Sequence, residues 1–285
     1  MASTFVQWID RQAWFHTLIR VLGVRPAASL FLRLFPVSRT FSSGTRVRVA
    51  DLEAFFLRDE IFERETYRRA LVLAGDVKTV VDIGCNVGFF CCYLRHYFQR
   101  TDFQGLCIDA NSEVLKQTRH NLAVNGLSGI RSYHGLVGPR GGEATQDFYV
   151  YASHLGSSQF VKPESGRALK GKWKKVAVPV LKVSEIWQKE YGTREIDLLK
   201  IDIEGSEGAL LTADSALFRQ TKSLVVEWHK WLVEEAELLP VLHQLGFIHR
   251  ELLETGKTAD LWFFSRSPIR GNPHSAPLIG VSGES

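Results

Sequence analysis

The sequence predicts an α/β protein built on a mostly parallel, doubly wound sheet, and three observations support this prediction. From residue 77 onward, short apolar runs alternate with segments of helical periodicity. The first run passes into a glycine-containing turn within VVDIGCNVGFF, residues 80–90. The last two runs are separated by only a few residues around ETGK, a spacing that allows only an antiparallel pair. Together these features predict an open sheet with helices on both faces that ends in an antiparallel hairpin.

The predicted elements follow one another in a regular order. Residues 79–83 form the first strand, and apolar residues at helical spacing up to Phe98 form the first helix. Six further strands are expected at 103–110, 130–138, 196–205, 223–229, 247–253 and 258–264. Further helices are expected at 112–124, 206–219 and 231–245. The sheet is therefore seven-stranded.

Residues 139–181 interrupt this alternation before the fourth strand of the sheet. The segments TQDFYVYA and KKVAVPVLKV predict an inserted β-hairpin, and a lysine-rich polar loop from Ser153 to Lys175 joins them. Such loops are usually only solvated, but the charge could also attract an anionic substrate. We expect the insertion to lie on the substrate side of the domain, with Ser153, His154 and Ser158 as contacts to the acceptor.

Composition is that of a globular protein: 285 residues with 45% apolar and 23% charged side chains. No run of about 18 apolar residues exists, which excludes a membrane-spanning helix. The four cysteines form no CxxC pair and fall in segments predicted to be buried. They predict free thiols in a reducing compartment, and hence a cytoplasmic protein. We expect one domain over 51–268 and a flexible tail over 269–285.

The first 50 residues differ from the rest in charge. They contain seven arginines against Asp10 alone, whereas the remainder has 28 basic and 30 acidic residues. The main body is therefore not a basic nucleic-acid binder, and no nucleic-acid partner is expected. Residues 1–50 are predicted to form a basic helical arm packed on the domain. Contact with a membrane surface and a targeting peptide are alternatives that the composition leaves open.

The turn after the first strand predicts what kind of ligand binds there. Gly84 allows a sharp turn, Gly88 allows close helix packing, and Asp82 can accept hydrogen bonds from a bound group. A dinucleotide site needs a third, central glycine where this chain has Asn86. An acid beside the loop would also repel a pyrophosphate. A cofactor with a cationic centre and no phosphate, such as S-adenosylmethionine, fits these residues better.

The end of the second strand supports a nucleoside cofactor. Asp109 stands 25 residues after Gly84, followed by Ala110. An acid at this point can accept hydrogen bonds from both ribose hydroxyls. The alternative is that Asp109 only caps the next helix, although Asn111 and Ser112 are equally good caps. We expect Asp109 and Ala110 to contact the cofactor.

Several segments together resemble one family. They are VVDIGCNVGFF, IDANSEVL, NLAVNG, DLLKIDIEGSEGALL and VVEWH. Over residues 51–265 the chain resembles the FkbM-type methyltransferases, most specifically in KIDIEGSE. It departs from the family pattern at Cys85, where alanine is common, and at Asp109, where glutamate is common. The resemblance implies a Rossmann-like class I methyltransferase fold and S-adenosylmethionine-dependent transfer to a hydroxyl of a small molecule, sugar or natural product.

Acidic residues and a histidine at two strand ends suggest how a proton could be removed. In the strand predicted over 196–205 the period is two, so Lys200, Asp202 and Glu204 share one face. Glu227 and His229 likewise share a face of the next strand. His229 is the first candidate for the base, since its reference pKa is about 6.5, and Asp202, also a cofactor contact, is the second.

Less specific roles remain open for these residues. Glu227 is expected to orient His229 or to contact the substrate, and Glu204 to contact the substrate. Glu204 and Glu207 could instead cap the following helix and favour its positive end. Lys200 could form a structural ion pair with Asp202 or Glu227, and His229 could be a satisfied histidine. A magnesium site from Asp202, Glu204 and His229 would have suitable donors, but the spacing is not metal-specific, so no metal is predicted.

Two other classes of function compete with transfer to a hydroxyl. The first is a methyltransferase directed at nitrogen or at a macromolecule, which IEGS at residues 203–206 argues against because no NPPY-like tetrapeptide stands there. The second is a non-catalytic module that binds S-adenosylmethionine or a protein partner. A dehydrogenase is disfavoured by the loop at Asn86. The sequence does not predict the oligomeric state or the identity of the acceptor.

Overall fold

The computed structural model of the protein describes residues 25–138, 144–151, 173–230 and 235–268. The strands are β1 (Val37–Thr40), β2 (Arg46–Val49), β3 (Thr79–Ile83), β4 (Gln104–Asp109), β5 (Ile130–His134), β6 (Thr145–Tyr151), β7 (Trp173–Pro179), β8 (Ile196–Ile201), β9 (Thr221–His229), β10 (His249–Thr255) and β11 (Ala259–Ser265). The helices are α1 (Arg25–Leu34), α2 (Leu52–Arg58), α3 (Arg68–Ala74), α4 (Phe89–Phe98), α5 (Ser112–Val124), α6 (Val183–Tyr191), α7 (Glu207–Ala213), α8 (Ser215–Arg219) and α9 (Glu235–Gln244). A π-helix (Asp59–Glu63) continues α2.

Seven of the described strands form the central sheet, in the order β10-β11-β9-β8-β3-β4-β5. The strands from β9 to β5 are parallel, and β11 runs antiparallel to both β9 and β10. Successive side chains of β3 point to opposite faces, so Val80 packs in one core cluster and Val81 in the other. This arrangement confirms the predicted fold class, including the final hairpin.

The strand β8 is shorter than predicted, and the difference matters for the site. It ends at Ile201, and the Asp202 amide then donates to the Ile83 carbonyl at 3.0 Å. The chain turns immediately afterwards, with Glu204 in the left-handed region at φ 53°. Asp202 and Glu204 therefore lie in a turn, and the expectation that they continue one strand face was wrong. The predicted helix over 206–219 is also divided, because α7 and α8 meet at Asp214, whose side chain accepts from the Ser184 amide at 2.9 Å.

The inserted hairpin before β8 is present as the antiparallel pair β6–β7. Phe148 and Val178 of this hairpin pack with Leu136 in a small separate cluster. The third strand of the predicted sheet ends at His134, and Leu136 instead forms an isolated bridge to Val180 at the base of the hairpin. The predicted substrate contacts Ser153, His154 and Ser158 lie outside the described residues.

The N-terminal segment is not entirely the helical arm that the composition predicts. Residues 1–24 lie outside the described residues, and α1 is followed by the hairpin β1–β2. The alternating sequence of β2 buries Val47 and Val49, and the backbone amides on either side of Val47 are bonded as well. Arg46 N donates to Asn125 Oδ1 at 2.8 Å and Arg48 N to Asn121 Oδ1 at 2.9 Å. Residues 37–49 are thereby joined to α5.

None of the helices among the described residues has the length and apolar character needed to cross a membrane. The tail predicted over 269–285 lies outside the described residues.

Candidate active site

A cleft of about 850 Å³ opens at the carboxyl ends of β3, β4 and β8. Ligands of doubly wound sheets bind at this edge. The lining combines backbone and polar groups with apolar side chains from the helices and from the inserted hairpin. It includes Gly84, Asn86, Asp109, Ala110, Lys200, Asp202, Glu204, Leu57, Ile61, Tyr67, Phe89, Phe90 and Phe148.

The two glycines of the loop have different functions. Gly84 has φ +75°, and a Cβ placed on it would lie 1.7 Å from the Asp202 carbonyl oxygen. Only glycine therefore allows the loop to cross the end of β8. A Cβ on Gly88 would lie 2.9 Å from Thr118 Cγ2, so this glycine lets α4 begin close to α5. Gly88 is not in the lining of the cleft, and its predicted role in cofactor binding stays a prediction.

Asn86 and Asp109 face the cleft and are bonded to each other. The Asn86 backbone N donates to Asp109 Oδ2 at 2.8 Å, and Asn111 N donates to Asp109 Oδ1 at 2.8 Å. The cap of α5 is Asn111, whose side chain accepts from Glu113 N, so capping does not account for Asp109. Asn86 stands in the left-handed region at φ 49°, and its buried Oδ1 has no hydrogen-bond partner among the described residues.

Lys200 connects the loop to the acids beside it. Its Nζ donates to the Gly84 carbonyl at 2.7 Å and lies 3.3 Å from Asp82 Oδ1 and 3.5 Å from Asp202 Oδ2. Burial opposes its charge, but Asp82 and Asp202 raise the pKa of Lys200 well above its ordinary value. Asp82 itself is fully buried and does not line the cleft; the structure places it against Lys200, and its predicted bond to a ligand stays a prediction.

The acids and the histidine predicted for proton transfer do come together. Asp202, Glu227 and His229 each place one side-chain atom within 4.8 Å of the other two. They meet because β8 and β9 are parallel neighbours whose carboxyl ends lie side by side. This group, hereafter the Asp202–Glu227–His229 cluster, has donor atoms that could also hold a divalent cation. A second set of possible ligand atoms, from Asp82, Cys91 and Cys107, lies in the buried core.

Glu207 is a member of this site, although the sequence predicted only a helix-capping role for it. It is buried, and its Oε1 accepts from His229 Nδ1 at 2.8 Å and from Gly205 N at 3.1 Å. Glu204 Oε2 lies 3.6 Å from His229 Nε2. Glu207, and not Glu204, therefore accepts the backbone hydrogen bond in the turn before α7. The signal was an acid in the first turn of a helix that follows a buried strand.

The surroundings of His229 change its expected role. Burial lowers the pKa of His229, but the hydrogen bond and charge of Glu207, with the charges of Asp202 and Glu204, raise it to about 9. The imidazole is therefore protonated at neutral pH. A protonated ring cannot accept a second proton, which argues against His229 as the first candidate for the base.

Glu227 is perturbed in a way that suits proton transfer. The negative charge of Asp202, followed by burial, raises the pKa of Glu227 to about 8. Glu227 also lines a second cavity of about 460 Å³, together with Glu60, Thr66 and Glu254. Burial and Asp202 raise the pKa of Glu60 as well. Since Asp202 lines the first cleft and Glu227 the second, the two cavities approach each other at this pair of carboxylates.

The four cysteines are free and buried, in agreement with the sequence. Burial raises the pKa of the Cys85 thiol to about 11. Cys85 lies in the loop beside the cleft, but as a thiol at neutral pH it has no role as a nucleophile.

Comparison with known proteins gives a family for this fold and site. A family model described as "Methyltransferase FkbM domain" matches residues 82–256. The methyltransferase sdnD of Sordaria araneosa is 26% identical over 204 residues, which cover 63% of this chain and 76% of sdnD. Methyltransferase 1 of Beauveria bassiana is 22% identical over 170 residues, covering 55% of this chain and 66% of that protein.

Solved structures with the same kind of fold are more distant. The methyltransferase FkbM from Methylobacillus flagellatus KT has a TM-score of 0.46 and 15% identity, over 74% of this chain and 51% of that one. TrmK of M. capricolum, solved in complex with S-adenosyl-homocysteine, has a TM-score of 0.41 and 11% identity, over 71% and 69% of the two chains. The matched region thus spans about half of the solved FkbM chain.

Proposed function

The chain belongs to the FkbM family of S-adenosylmethionine-dependent methyltransferases, and we propose that its acceptor is a hydroxyl group of a small molecule, such as a sugar or natural product. The observation that supports this proposal is the Asp202–Glu227–His229 cluster at the edge of the cofactor cleft. A hydroxyl must lose its proton as it is methylated, and a positioned base typically accelerates such a step by about 10²- to 10⁴-fold. These residues supply proton-accepting groups at that point.

The residues of the cleft fit the cofactor. Asp109 would accept hydrogen bonds from the ribose hydroxyls, because a carboxylate can accept several bonds and the amides of Asn86 and Asn111 hold this one at the cleft. The unpaired Oδ1 of Asn86 would accept from the amino group of the cofactor. Bound S-adenosylmethionine supplies a methyl group on a positively charged sulfur. Phe89 and Phe148 supply part of the apolar lining of the cleft, which would limit the access of water to the bound cofactor.

We assign the proton-accepting step to Glu227, with Asp202 beside it. A general base is most effective when its pKa lies near the working pH, and the pKa of Glu227 is about 8 before the cofactor binds. The positive charge of the bound cofactor would lower this pKa and favour the carboxylate form, which accepts the proton. Asp202 raises that pKa and lies between the two cavities. His229, held protonated by Glu207, would donate a hydrogen bond from Nε2 and keep the carboxylates in place. A protonated imidazole has no lone pair to offer a metal ion, so we propose transfer without a metal.

The charge of the site restricts the acceptor. Four glutamates, Glu60, Glu204, Glu227 and Glu254, line the two cavities together with Asp202. The ionised carboxylates among them repel phosphate and carboxylate groups, and this repulsion increases as the pH rises through the raised pKa values of Glu60 and Glu227. We therefore propose a neutral or cationic acceptor and no nucleic-acid partner.

The test is transfer of a ¹³C-labelled methyl group from the cofactor into a metabolite extract. The carbon chemical shift of the product distinguishes a methyl on oxygen from one on nitrogen. We expect an O-methyl product from the natural chain. A methyl on nitrogen would overturn the assignment of the acceptor while leaving the cofactor site intact.

The assignment of the base is tested on the same product with two variants. Glu227→Gln should lose about 10²-fold or more in kcat, measured at saturating cofactor. The matched control, Glu237→Gln on the exposed side of α9, should retain full turnover. Full turnover by Glu227→Gln would show that another group accepts the proton.

A further inference from the structure

We propose that α1 docks on an anionic membrane surface. Its C-terminal half and the residue after it present four large apolar side chains to solvent: Leu30 is 59% exposed, Phe31 49%, Leu34 64% and Phe35 62%. The rings of Phe31 and Phe35 lie 5.3 Å apart, so the exposed side chains form one continuous patch. Contiguous exposed apolar groups mark interaction sites, whereas isolated ones do not.

The patch follows from the helical spacing. Positions 30, 31, 34 and 35 lie on one side of a helix, and the Phe35 amide extends the helical bonding by donating to the Phe31 carbonyl at 2.8 Å. Leu32 lies on the other side, where it is buried in the main core. The helix is therefore held to the protein by one face, and the apolar face described above points away from the core.

The charge around the patch favours an anionic membrane surface as its binding partner. Residues 25–50 contain five arginines and no acidic residue, whereas residues 51–285 carry a net charge of −2. Arg33 is exposed in the last turn of α1, and Arg39 on β1 pairs with Glu63. Helices with leucine and phenylalanine on one face and basic residues beside it lie in the interface of anionic bilayers. A second copy of this chain would instead bring the same arginines together, which argues against a dimer through this face.

The position of α1 gives the docking a structural connection to the cleft. It contacts α2, and Leu57 of α2 and Ile61 of the π-helix line the cofactor cleft. The ten described residues of α1 span about 15 Å. The inference does not depend on whether the acceptor is a hydroxyl.

The experiment is co-sedimentation of the full chain with vesicles of phosphatidylcholine alone or mixed with phosphatidylserine. We expect the partition coefficient to rise about tenfold with phosphatidylserine and to fall with added salt, because arginines near an anionic surface contribute through screened charge. The double variant Leu34→Glu/Phe35→Glu should lose about tenfold or more of the binding, since it replaces the two most exposed apolar groups by charges.

Two control variants show whether the patch itself binds the vesicles. Val72→Glu on α3 and Leu252→Glu on β10 replace side chains that are 49% and 45% exposed, and should bind vesicles as the natural chain does. Circular dichroism and cofactor binding verify that each variant is folded. Undiminished binding by the double variant, or no binding of the natural chain to phosphatidylserine vesicles, would overturn the proposal. A dimer of the natural chain in light scattering that the double variant abolishes, without lipid binding, would assign the face to a second copy.

Discussion

Replacement of Glu207 by glutamine tests the electrostatics of the site most directly. Glu207→Gln keeps the size of the side chain but removes its negative charge. In the natural chain, Glu207 Oε1 lies 2.8 Å from His229 Nδ1, and both side chains are buried. Burial alone lowers the pKa of His229, so the rise to about 9 depends on the acids around it, with Glu207 the largest contributor.

The magnitude follows from the pKa. A rise from 6.5 to about 9 corresponds to about 3 kcal/mol in favour of the charged ring, at about 1.4 kcal/mol for each factor of ten. Because the pKa is raised on folding, this stabilisation is fully present below pH 6.5 and is lost as the pH rises through about 9. Without the charge of Glu207, burial should bring the pKa of His229 back towards 6.5 or below. The variant should therefore lose about 2–3 kcal/mol of unfolding free energy at pH 6 and much less above pH 9.

Two measurements check this expectation. Proton NMR of the His229 ring gives its titration midpoint in each variant, and urea unfolding at several pH values gives the stability difference. The control is Glu185→Gln, which removes an exposed acid on α6. A titration midpoint of His229 that is the same in Glu207→Gln as in the natural chain would refute the role of Glu207. So would a stability difference that does not decrease as the pH rises from 6 to 10.

Four further predictions concern the cofactor site and the proton. Asp109→Ala should weaken S-adenosylmethionine binding by about 10- to 100-fold in calorimetry, since hydrogen bonds to a charged group are lost. It should also lower the melting temperature of the free protein, because the amides of Asn86 and Asn111 lose their acceptor; unchanged affinity in the folded variant would remove the ribose assignment. Gly84→Ala should lower the melting temperature much more than Gly192→Ala. Both glycines have positive φ, but only a Cβ at residue 84 meets backbone, 1.7 Å from the Asp202 carbonyl oxygen; equal effects of the two substitutions would contradict this explanation. Binding of the positively charged cofactor near neutral pH should release protons from Glu227, whose pKa is about 8, and binding of S-adenosylhomocysteine should release fewer. Calorimetry in buffers of different ionisation enthalpy measures the number of protons released with each ligand, and Glu227→Gln should abolish the difference between the two ligands. Chelation of divalent cations should leave turnover unchanged, and restoration of lost turnover by magnesium would show that the Asp202–Glu227–His229 cluster holds a metal.

Much of the fold can be predicted from the sequence because its signals are local. The apolar run of β3, followed by Gly84 and Gly88, defines a strand, a tight turn and a helix without reference to any other segment. The short connection around ETGK allows only an antiparallel pair, as β10 and β11 show. The residues of the cofactor cleft follow from this order, because parallel strands bring their carboxyl ends to one edge.

What could not be predicted depends on contacts between segments distant in the chain. Strand periodicity gives no reason for β8 to stop at Ile201; the turn follows from the close approach of Gly84 to the Asp202 carbonyl, 118 residues later in the chain. The protonation of His229 likewise depends on Glu207, which belongs to another element. A lysine in an otherwise buried strand, Lys200, was a visible signal, but its contact with Gly84 was not.

The role of the N-terminal segment was obscured by its composition. Arginine-rich sequence with scattered apolar residues is typical of a helical arm, and four-residue strands are too short to show a clear period. The alternation is present in RVRV, residues 46–49, but it is short. The strand is identified only by its hydrogen bonds to Asn121 of α5 and to Asn125, the residue after this helix.

The hairpin β1–β2 has a consequence for how small the functional unit can be. Asn121 accepts from Arg48 N of β2 and, through its own Nδ2, donates to the Val87 carbonyl in the loop that follows Gly84. A fragment beginning at Asp51 would retain every side chain that lines the cleft. The Asn121 side chain, which bonds the loop at Val87, would however lose its hydrogen bond from Arg48 N and become exposed to water. Trimming the chain to the portion that resembles other methyltransferases should therefore loosen its hold on the nucleoside, although nothing that touches the nucleoside has been removed.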